Sequence, residues 1–542
     1  MLRREFLQTA AVLAPGRKRP PNVLLMMTDD QGYGDLSHTG NPHLKTPHSD
    51  SIARDGAEFS QFQVCPVCSP TRSSLMTGRW NYRTRVVDTF MGRSMMDPSE
   101  VTMAQYLGRA GYRTGIFGKW HLGDNHPMRP HERGFEEAVV CKGGGVGQPS
   151  DPPGNKYFDP ILQNRGREQR YEGYCTDIFF REAMGFIERR RRDPWFVYLP
   201  TNAPHDPLDV DDRWARPFLD LGLDERTAKT YGMVANIDEN VGKILGTIGK
   251  LGLTEDTIVI FLTDNGPQRD RYNAGMRGRK GTVYQGGIRV PFFLRWPGKV
   301  KAGMKIDRAA AHIDVLPTLL EIAGVDAGRG PRMDGRSLMP LLRGEAGSWK
   351  DRTLFTQWHR GDEPELFRAC AARSQQYKLV DGKELYDLTA DPGEKKDIAR
   401  ERPEVAADLR RQTEAWFRDV TPAGGYAPPR IYVGTRHENP VVLTRQDWRA
   451  STADWRGEAN GHWEIDVRTA GRYEVKLRMQ ERKAATEASV RIGEVEAKTS
   501  VAAGAESCTF EKVALPAGPA RLKALFSAAG MGGPQYVDVR KT

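Results

Sequence analysis

The most constraining feature of the sequence is a pair of continuous apolar runs that both end in acidic or amide side chains. Residues 22–28 run directly into the acidic pair 29–30, and residues 257–263 run into the Asp-Asn pair 264–265. Runs that are apolar at every position are typical of parallel strands whose two faces are both covered. The sequence therefore predicts an α/β fold with a mixed, largely parallel sheet sandwiched by helices.

The polar pairs that end the two runs predict a single metal site. In such sheets, ligands bind beyond the carboxyl ends of the strands. Three carboxylates and one amide suit a hard cation, Ca²⁺ or Mg²⁺. The alternative is that each pair is an ordinary turn, since Asp-Gly-type sequences favour turns. Two strands with matching pairs favour the metal site, whose candidate ligands are Asp29, Asp30, Asp264 and Asn265.

Two further predicted strands carry basic side chains just beyond their ends. Residues 113–117 lead to Lys119 and His121, and residues 195–199 lead to His205. A single histidine in a loop is usually structural, so each residue is weak evidence when taken alone. Their repeated placement after strands predicts that they join the same site.

A glycine-rich segment, residues 278–291, contributes a further candidate, Lys280. Glycines permit a tight backbone, and a lysine is a mobile point charge suited to an oxyanion. His121, His126 and His131 are spaced five residues apart, which does not place them on one helix face. We therefore predict no three-histidine zinc site.

Cys68 stands at a predicted helix start. Ser69 is a good N-cap and Pro70 a good first helical residue, and Arg72 adds a positive charge in the first turn. A cysteine so placed would feel the positive end of the helix, although a buried structural cysteine is the plainer alternative. Cys65 and Cys68 form a C-x-x-C pair without a second pair, so zinc is not predicted here either.

Together these motifs resemble the formylglycine-dependent sulfatases, a type I, arylsulfatase-like family of the alkaline-phosphatase-like superfamily. The resemblance covers roughly residues 20–420, and its strength lies in the order of the motifs rather than in any one of them. One departure is Gln285, where the family pattern leads us to expect an acidic residue. In chain order, the motifs are D-D-Q-G at 29–32, C-x-P-x-R at 68–72, T-G-R at 77–79, G-K-W-H-L-G at 118–123, P-H at 204–205, T-D-N-G at 263–266, Lys280, L-Y-D-L at 385–388 and D-P-G-E at 391–394.

The resemblance implies a sulfuric ester hydrolase with an unusual nucleophile. Cys68 would be oxidised by a formylglycine-generating enzyme, or an equivalent, to formylglycine, which acts as its aldehyde hydrate. The hydrate would attack the sulfur of a carbohydrate or aryl sulfate, form a covalent sulfate ester at residue 68 and then release inorganic sulfate. One cation per chain, Ca²⁺ with Mg²⁺ as the alternative, would be held by the four oxygen ligands together with residue 68.

The resemblance also implies roles for the basic side chains. His205 and Lys280 would bind the ester and protonate the leaving oxygen. His121 would accept a proton from the second hydroxyl of the hydrate so that sulfate is expelled. Lys119 and Arg72 would offset negative charge on the hydrate and on the sulfate oxygens.

Two alternatives to a sulfatase stay open at this stage. A phosphodiester or phosphonate monoester hydrolase of the same superfamily could use the same residues, because the two transition states are similar in shape. A non-catalytic glycan-binding protein that has lost its activity is the second alternative. The residues that argue against such a loss are intact in this chain: Cys68, Arg72, Lys119, His121 and His205.

The sequence predicts four regions after the N-terminal segment. The catalytic α/β domain spans 20–345, and a small antiparallel-sheet subdomain spans 346–420. A linker that is at first rich in Pro and Gly spans 421–444, and a β-sandwich with alternating apolar residues spans 445–542.

The sandwich is similar to the galactose-binding-like domains that accompany carbohydrate enzymes. Trp448, Trp455 and Trp463 either stack on sugar rings or pack in the core of the sandwich. We therefore expect this accessory domain either to bind glycan or to shape the rim of the active site.

The N-terminal segment, residues 1–19, resembles a twin-arginine export signal because Arg3 and Arg4 precede a short apolar run. This predicts a periplasmic or secreted protein. No apolar run is long enough to predict stable membrane insertion. A net charge of +10 favours a negatively charged partner, which we expect to be a sulfated small molecule or polysaccharide rather than a nucleic acid.

Overall fold

The computed structural model describes residues 19–328, 330–449, 459–478, 485–527 and 532–542. Arg3, Arg4 and Trp455 lie outside the described residues, so the predicted export signal and one predicted sugar-stacking tryptophan have no structural counterpart here. Within the described residues, no helix is long and apolar enough to cross a membrane.

A ten-stranded mixed sheet forms the centre of the catalytic region. Its five middle strands are parallel to one another, and antiparallel strands flank them on both sides. The predicted strands Asn22–Thr28 and Thr257–Thr263 lie side by side in this parallel part. Across the sheet, the order is Met304–Ile306, Ala57–Phe59, Phe292–Arg295, Thr257–Thr263, Asn22–Thr28, Trp195–Pro200, Arg113–Lys119, Glu137–Cys141, Ile161–Asn164 and Arg167–Arg170.

Two hydrophobic cores cover the two faces of this sheet. In the strand Asn22–Thr28, Leu25 faces one core and Leu24 faces the other, and both side chains are fully buried. Burial on both faces explains why residues 23–27 are all apolar instead of alternating with polar residues. The predicted α/β class is therefore confirmed.

Helices pack on both sides of the sheet. The longest, Glu225–Lys250, begins at the N-cap Asp224, whose side chain accepts hydrogen bonds from two backbone N–H groups of the first turn. The remaining helices are Pro47–Arg54, Cys68–Thr77, Met103–Arg109, Cys175–Arg189, Asp212–Leu219, Gln285–Ile288, Val315–Ala323, Met339–Leu342 and Pro403–Val420, with short 3₁₀ turns at Asn81–Thr84, Pro130–Glu132, His312–Asp314 and Ala346–Ser348.

The C-terminal subdomain has the predicted form. Its antiparallel sheet is built from Leu354–Gln357, Cys370–Arg373, Tyr377–Val380 and Glu384–Asp387. The helix Pro403–Val420 packs its apolar face on this sheet through Leu409. A small two-stranded sheet, Phe62–Gln63 with Ala310–Ala311, lies beside the main sheet.

The C-terminal domain is a sandwich of two sheets that begins earlier in the chain than the sequence suggests. Two strands inside the predicted 421–444 linker belong to it, because Ile431–Val433 pairs with His462–Val467 and Val441–Thr444 pairs with Tyr536–Lys541. The other strands are Gly471–Arg478, Thr486–Ile492, Val495–Val501, Ser507–Leu515 and Gly518–Phe526. Trp448 and Trp463 are fully buried in its core, which favours packing over sugar stacking for both.

Candidate active site

The ends of the two central strands bring the predicted acidic residues together. Asp29 and Asp30 directly follow Asn22–Thr28, and Asp264 directly follows Thr257–Thr263. All three carboxylates are buried. Asp29, Asp264 and the thiol of Cys68 each present a ligand atom within 4.8 Å of the others.

Lys119 reaches this cluster from the neighbouring strand Arg113–Lys119. Its buried ammonium forms an ion pair with Asp29. Gly118 makes this approach possible, because a side chain there would meet the carbonyl oxygen of Pro200 at 1.8 Å and because its φ is +137°. A glycine directly before the lysine thus lets two strands converge at the site.

Arg72 ties the helix Cys68–Thr77 to the strand ends. Its guanidinium donates to Asp264 Oδ2 at 2.7 Å and to the carbonyl of Lys119 at 2.9 Å, and the side chain is fully buried. Two hydrogen bonds to two different acceptors fix both the position and the orientation of the planar guanidinium. Residue 68 is therefore held against the acidic cluster by a residue of its own helix.

The start of this helix differs from the prediction. The helix begins at Cys68, its N-cap is Val67, and no side chain caps it. The Ser69 hydroxyl is buried without a hydrogen-bond partner among the described residues, so it is not the N-cap. Burial raises the pKa of the Cys68 thiol, and nearby Lys119 and Lys280 only partly offset this effect. The helix start therefore does not activate the thiol of the unmodified side chain.

His121 faces residue 68 with a defined ring nitrogen. Its Nδ1 lies 3.5 Å from the Sγ of Cys68, and its Nε2 lies 2.8 Å from the carbonyl oxygen of Thr89. A carbonyl oxygen can accept a hydrogen bond but cannot donate one. Nε2 of His121 therefore carries the proton, and Nδ1 presents a lone pair to residue 68. Burial, followed by Lys119 and Arg72, lowers the pKa of His121 well below its usual value. The imidazole is thus neutral and able to accept a proton.

His205 and Lys280 converge on Asp30 from the other side of the site. Lys280 Nζ donates to Asp30 Oδ2 at 2.8 Å, and His205 Nε2 lies 3.5 Å from the same oxygen. Burial opposes the charge on Lys280, but Asp30 and the other acidic groups raise its pKa above the usual value, so the ammonium stays charged. Four of the six predicted catalytic residues, Cys68, His121, His205 and Lys280, therefore line one cavity. The other two, Lys119 and Arg72, contact the acidic residues Asp29 and Asp264.

Asp29 and Asn265 offer buried oxygens that a cation site needs, whereas burial and the neighbouring Asp29 raise the pKa of Asp264 to about 7. Burial raises the pKa of Asp29, yet Lys119, His205 and Arg72 lower it by more, so the carboxylate is ionised. Asp29 Oδ1 and Asn265 Oδ1 are buried and have no hydrogen-bond partner among the described residues. Buried oxygens without partners are costly unless a ligand satisfies them. The four oxygen ligands Asp29, Asp30, Asp264 and Asn265 thus fit a hard cation.

Two site residues adopt a backbone conformation that side chains disfavour. Asp30 has φ 61° and His121 has φ 59°. Non-glycine residues in this left-handed region carry local strain of the order of 1 kcal/mol, and such residues concentrate at functional sites. Each lies two residues beyond the end of a central strand, Asp30 after Asn22–Thr28 and His121 after Arg113–Lys119.

Several residues at the site carry no motif signal in the sequence. The cavity over residue 68 has a volume of about 330 Å³ and includes Thr89, Gln148, Trp358 and Arg360 in its walls. Gln446, from the sandwich domain, also reaches the site and donates to the Thr89 carbonyl at 2.8 Å. These residues come from distant loops, and only the tertiary structure brings them together.

Gln285, the departure from the family pattern, lies behind Lys280 and not among the ligands. Its backbone N–H donates to Glu394 Oε2 at 2.6 Å, and Glu394 also forms a fully buried ion pair with Lys378. The amide group of Gln285 is buried with no partner among the described residues. The D-P-G-E motif therefore anchors the segment that presents Lys280.

Comparison with known proteins shows the family of this chain. The family model described as Sulfatase matches residues 21–325, and the model described as N-sulphoglucosamine sulphohydrolase, C-terminal, matches residues 279–418. The chain belongs to the sulfatase family. N-acetylgalactosamine-6-sulfatase of Canis lupus familiaris is 33% identical over 385 residues, which cover 66% of this chain and 72% of that protein. Arylsulfatase A of Homo sapiens is 32% identical over 431 residues, 71% of this chain and 80% of that protein.

Solved structures agree with this assignment. Ps i-CgsB, in complex with k-i-k-neocarrahexaose, superposes with a TM-score of 0.68 at 28% identity, covering 74% of this chain and 94% of that chain. The phosphonate monoester hydrolase of Agrobacterium radiobacter superposes with a TM-score of 0.56 at 22% identity, covering 74% and 96%, which shows a shared fold alone. The protein is a sulfuric ester hydrolase of the sulfatase family, as the motifs predicted.

Proposed function

We propose that this sulfatase hydrolyses sulfate esters of carbohydrates through a formylglycine formed from Cys68. The observation that carries the proposal is the position of residue 68: it shares a buried ligand cluster with Asp29 and Asp264, and it lies 3.5 Å from the free nitrogen of His121. A buried thiol with a raised pKa is a poor nucleophile, whereas a hydrate at the same place offers two hydroxyl groups. The first hydroxyl attacks sulfur and the second permits release.

The basic side chains account for both proton transfers. When the hydrate oxygen bonds to sulfur and the bond to the alcohol breaks, His205 and Lys280 bind the ester and supply the proton that the alcohol needs. His121 Nδ1 then takes the proton of the second hydroxyl, the aldehyde re-forms, and the bond between carbon and the sulfate oxygen breaks. Lys119 and Arg72 offset the negative charge that builds up during both steps.

The cation that we propose is Ca²⁺, with Mg²⁺ as the alternative. The ligands would be Asp29, Asp30, Asp264, Asn265 and residue 68. All offer oxygen once residue 68 is a hydrate, and such a set suits a hard cation. A bound divalent cation would polarise a sulfate oxygen and favour the ionised form of the hydrate.

The shape of the site supports a sulfated saccharide as the substrate. The cavity over residue 68 shares Gln148, His205 and Gln268 with a larger cleft of about 1260 Å³. This cleft runs between the catalytic region and the sandwich and contains Arg226 and Arg269, so it offers cationic groups beyond the first sugar. We propose that a polysaccharide chain lies in this cleft; a saccharide ligand, k-i-k-neocarrahexaose, is bound in the complex of the similar Ps i-CgsB.

Conversion of Cys68 precedes folding of its helix in our proposal. Cys68, Pro70 and Arg72 are each buried, so a formylglycine-generating enzyme, or an equivalent, would read residues 68–72 in the extended, unfolded chain. We propose that residues 1–19 then direct export to the periplasm or the exterior as a twin-arginine-type signal. A fusion of this segment to a reporter that is active only outside the cytoplasm tests the second point.

A substrate comparison tests the proposed activity. We expect purified protein from a host able to form formylglycine to release inorganic sulfate from 4-nitrophenyl sulfate and from members of a panel of defined sulfated sugars. Turnover of 4-nitrophenyl phosphate should be far slower. A preference for the phosphate or for a phosphonate monoester would instead favour the alternative within the superfamily.

A further inference from the structure

The mouth of the active site contains a guanidinium group held in a fixed position. Arg360 Nη1 donates to Asp88 Oδ1 at 2.7 Å, and the guanidinium lies 4.5 Å from the ring centre of Phe90 and 5.1 Å from that of Trp358. Trp358 Nε1 donates to the same Asp88 oxygen at 3.0 Å. The Arg360 side chain is nonetheless 56% exposed and forms part of the wall of the cavity.

Arg360 has hydrogen-bond donors without acceptors among the described residues, and it belongs to a cluster with excess positive charge. Its Nε and Nη2 atoms make no hydrogen bond to any residue in the described part of the chain. The ion pairs around it join three guanidinium groups with only two carboxylates, those of Asp88 and Asp362. Because Arg360 is the most exposed of these cations, the excess positive charge faces the cavity.

We propose that Arg360 forms a second anion-binding position, so the preferred substrate carries another carboxylate or sulfate close to the scissile sulfate ester. The inference rests on the proposed function of the site. A planar guanidinium fixed by aromatic rings and a carboxylate is preorganised for a second, bidentate anion. Both classes of anion satisfy the same donors, so substrate pairs distinguish them.

The test measures kcat/KM for Arg360→Ala on matched substrates. One pair is a sulfated uronic-acid disaccharide and its carboxyl-reduced form; the other is a disulfated and a monosulfated disaccharide. We expect a loss of about ten- to hundredfold on whichever doubly anionic substrate the enzyme prefers. On 4-nitrophenyl sulfate, which lacks a second anion, the loss should stay below about threefold. Arg368→Ala, an exposed arginine paired with Glu365, is the matched control and should match wild type.

The proposed subsite would be overturned if Arg360→Ala lowered kcat/KM equally on all substrates. It would also be overturned if the wild type had the same kcat/KM on both members of each substrate pair. These outcomes differ from failure of the proposed function. If wild-type protein with a converted Cys68 hydrolyses none of the sulfate esters, the proposed function fails. If it hydrolyses them and Arg360→Ala shows no selective loss, only the subsite fails.

A separate set of contacts links the sandwich to His121. The backbone carbonyl of Gln446 accepts from Gly92 N–H at 3.1 Å, and Arg449 Nη1 donates to the Met91 carbonyl at 2.7 Å. Between these contacts, the side chain of Gln446 reaches Thr89 and is buried. The sandwich therefore lies directly on the loop that contacts the proposed base.

The Thr89 carbonyl receives two donors that come from different domains. His121 Nε2 and Gln446 Nε2 each lie 2.8 Å from this oxygen, and the two nitrogens lie 3.5 Å apart. Gln446 thereby fixes the carbonyl that in turn fixes the tautomer of His121. We infer that Gln446 is a positioning residue for His121 and that the sandwich completes the active site; this too rests on the proposed role of His121.

Rapid-mixing kinetics test this second inference. Loss of the Gln446 donor should slow the release of sulfate from residue 68, by up to about tenfold, while the first step stays fast. We therefore expect Gln446→Ala and Gln446→Glu to show a burst of one 4-nitrophenol per site from 4-nitrophenyl sulfate, followed by slow turnover. Arg449→Ala, which removes a neighbouring contact with the same loop but not the Thr89 hydrogen bond, is the control for docking and should show no new burst.

The outcomes separate positioning from simple stability. Wild-type kinetics in Gln446→Glu would overturn the inference, because that variant keeps the volume and loses the donor. A lower melting temperature with all steps slowed equally and no burst would also overturn it, since that is the result of a purely structural role. If His121→Ala itself leaves sulfate release unchanged, the proposed role of His121 fails first.

Discussion

At the scale of single residues, Cys68 shows how burial decides reactivity. A helix start and two nearby lysines favour a thiolate, but burial raises the pKa of the thiol in spite of them. The surrounding oxygen ligands and the free nitrogen of His121 suit a hydrate better than a sulfur nucleophile. The cysteine is therefore best understood as a precursor.

The spare hydroxyl of a hydrate gives a prediction for Cys68→Ser. Serine can attack sulfur but has no second hydroxyl for His121 to deprotonate. We expect the variant to become sulfated once per site and then to turn over at least about a hundredfold more slowly than the wild type. Mass spectrometry of the trapped protein checks this. Repeated fast turnover by Cys68→Ser would contradict the two-hydroxyl scheme.

A second residue, His312, predicts how stability depends on pH. It is buried against Cys65 and the Gln63 carbonyl, and burial lowers its pKa to about 4. The unfolded value is near 6.5, so the unfolded chain takes up the proton first and stability falls as the pH drops from about 6.5 towards 4. At about pH 5, the uptake of this proton by the unfolded chain should have lowered the free energy of unfolding by about 2 kcal/mol.

Urea unfolding at pH values of about 7 and 5 measures this effect. In His312→Gln, the free energy of unfolding should fall by about 2 kcal/mol less between these two pH values than it does in the wild type. His38→Gln is a matched control of opposite sign, because the hydrogen bond to Glu58 raises the pKa of His38, and its contribution is present at low pH and lost as the pH rises. An unchanged pH dependence in His312→Gln would rule out this group as the cause.

At the scale of elements, the sequence could predict the strands that carry the chemistry. Asn22–Thr28 and Thr257–Thr263 have the predicted bounds because burial on both faces leaves an unbroken apolar run. The site residues next to strand ends follow from that placement. Gln446 and Arg360 could not be predicted, because each joins the site through packing of distant segments and leaves no local pattern. The N-cap prediction for Ser69 is wrong because the helix starts two residues earlier, with Val67 as the N-cap and Cys68 as the first helical residue.

The segment that presents Lys280 depends on a buried ion pair, which gives an element-scale prediction. Glu394→Ala leaves the Lys378 ammonium buried without a partner and removes the acceptor for Gln285 N–H. We expect a loss of about 3–5 kcal/mol in the free energy of unfolding. Urea unfolding measures it, and Glu401→Ala, which breaks the exposed pair with Lys396, should cost less than about 1 kcal/mol. Equal effects of the two variants would contradict the anchoring role.

At the scale of the whole molecule, the sandwich and the catalytic region share a core. Met95 and Met128 of the catalytic region pack in the hydrophobic cluster of the sandwich, and Asn125 Nδ2 donates to the Val442 carbonyl at 3.0 Å. The sequence predicts a separate β-sandwich after a linker, but two strands of the sandwich lie within the predicted linker. It gives no sign of the shared core, since two scattered methionines resemble any other buried residues.

The shared core predicts that the two domains unfold together. Trp463→Ala should remove about 3–5 kcal/mol of packing from the sandwich. We expect it to lower the temperature at which arylsulfatase activity is lost as much as it lowers the melting temperature of the sandwich. Calorimetry of the wild type should show one transition. Glu487→Ala, at an exposed position of the sandwich, is the control for Trp463→Ala and should leave both temperatures unchanged. Two resolved transitions, with activity following only the one unaffected by Trp463→Ala, would contradict the coupling.

The state of residue 68 in active protein is the most direct test of the account. Mass spectrometry of the peptide that contains this residue should find formylglycine, and specific activity on 4-nitrophenyl sulfate should rise in proportion to the converted fraction, from zero when none is converted. Full activity from protein whose Cys68 is wholly unmodified would contradict the central claim.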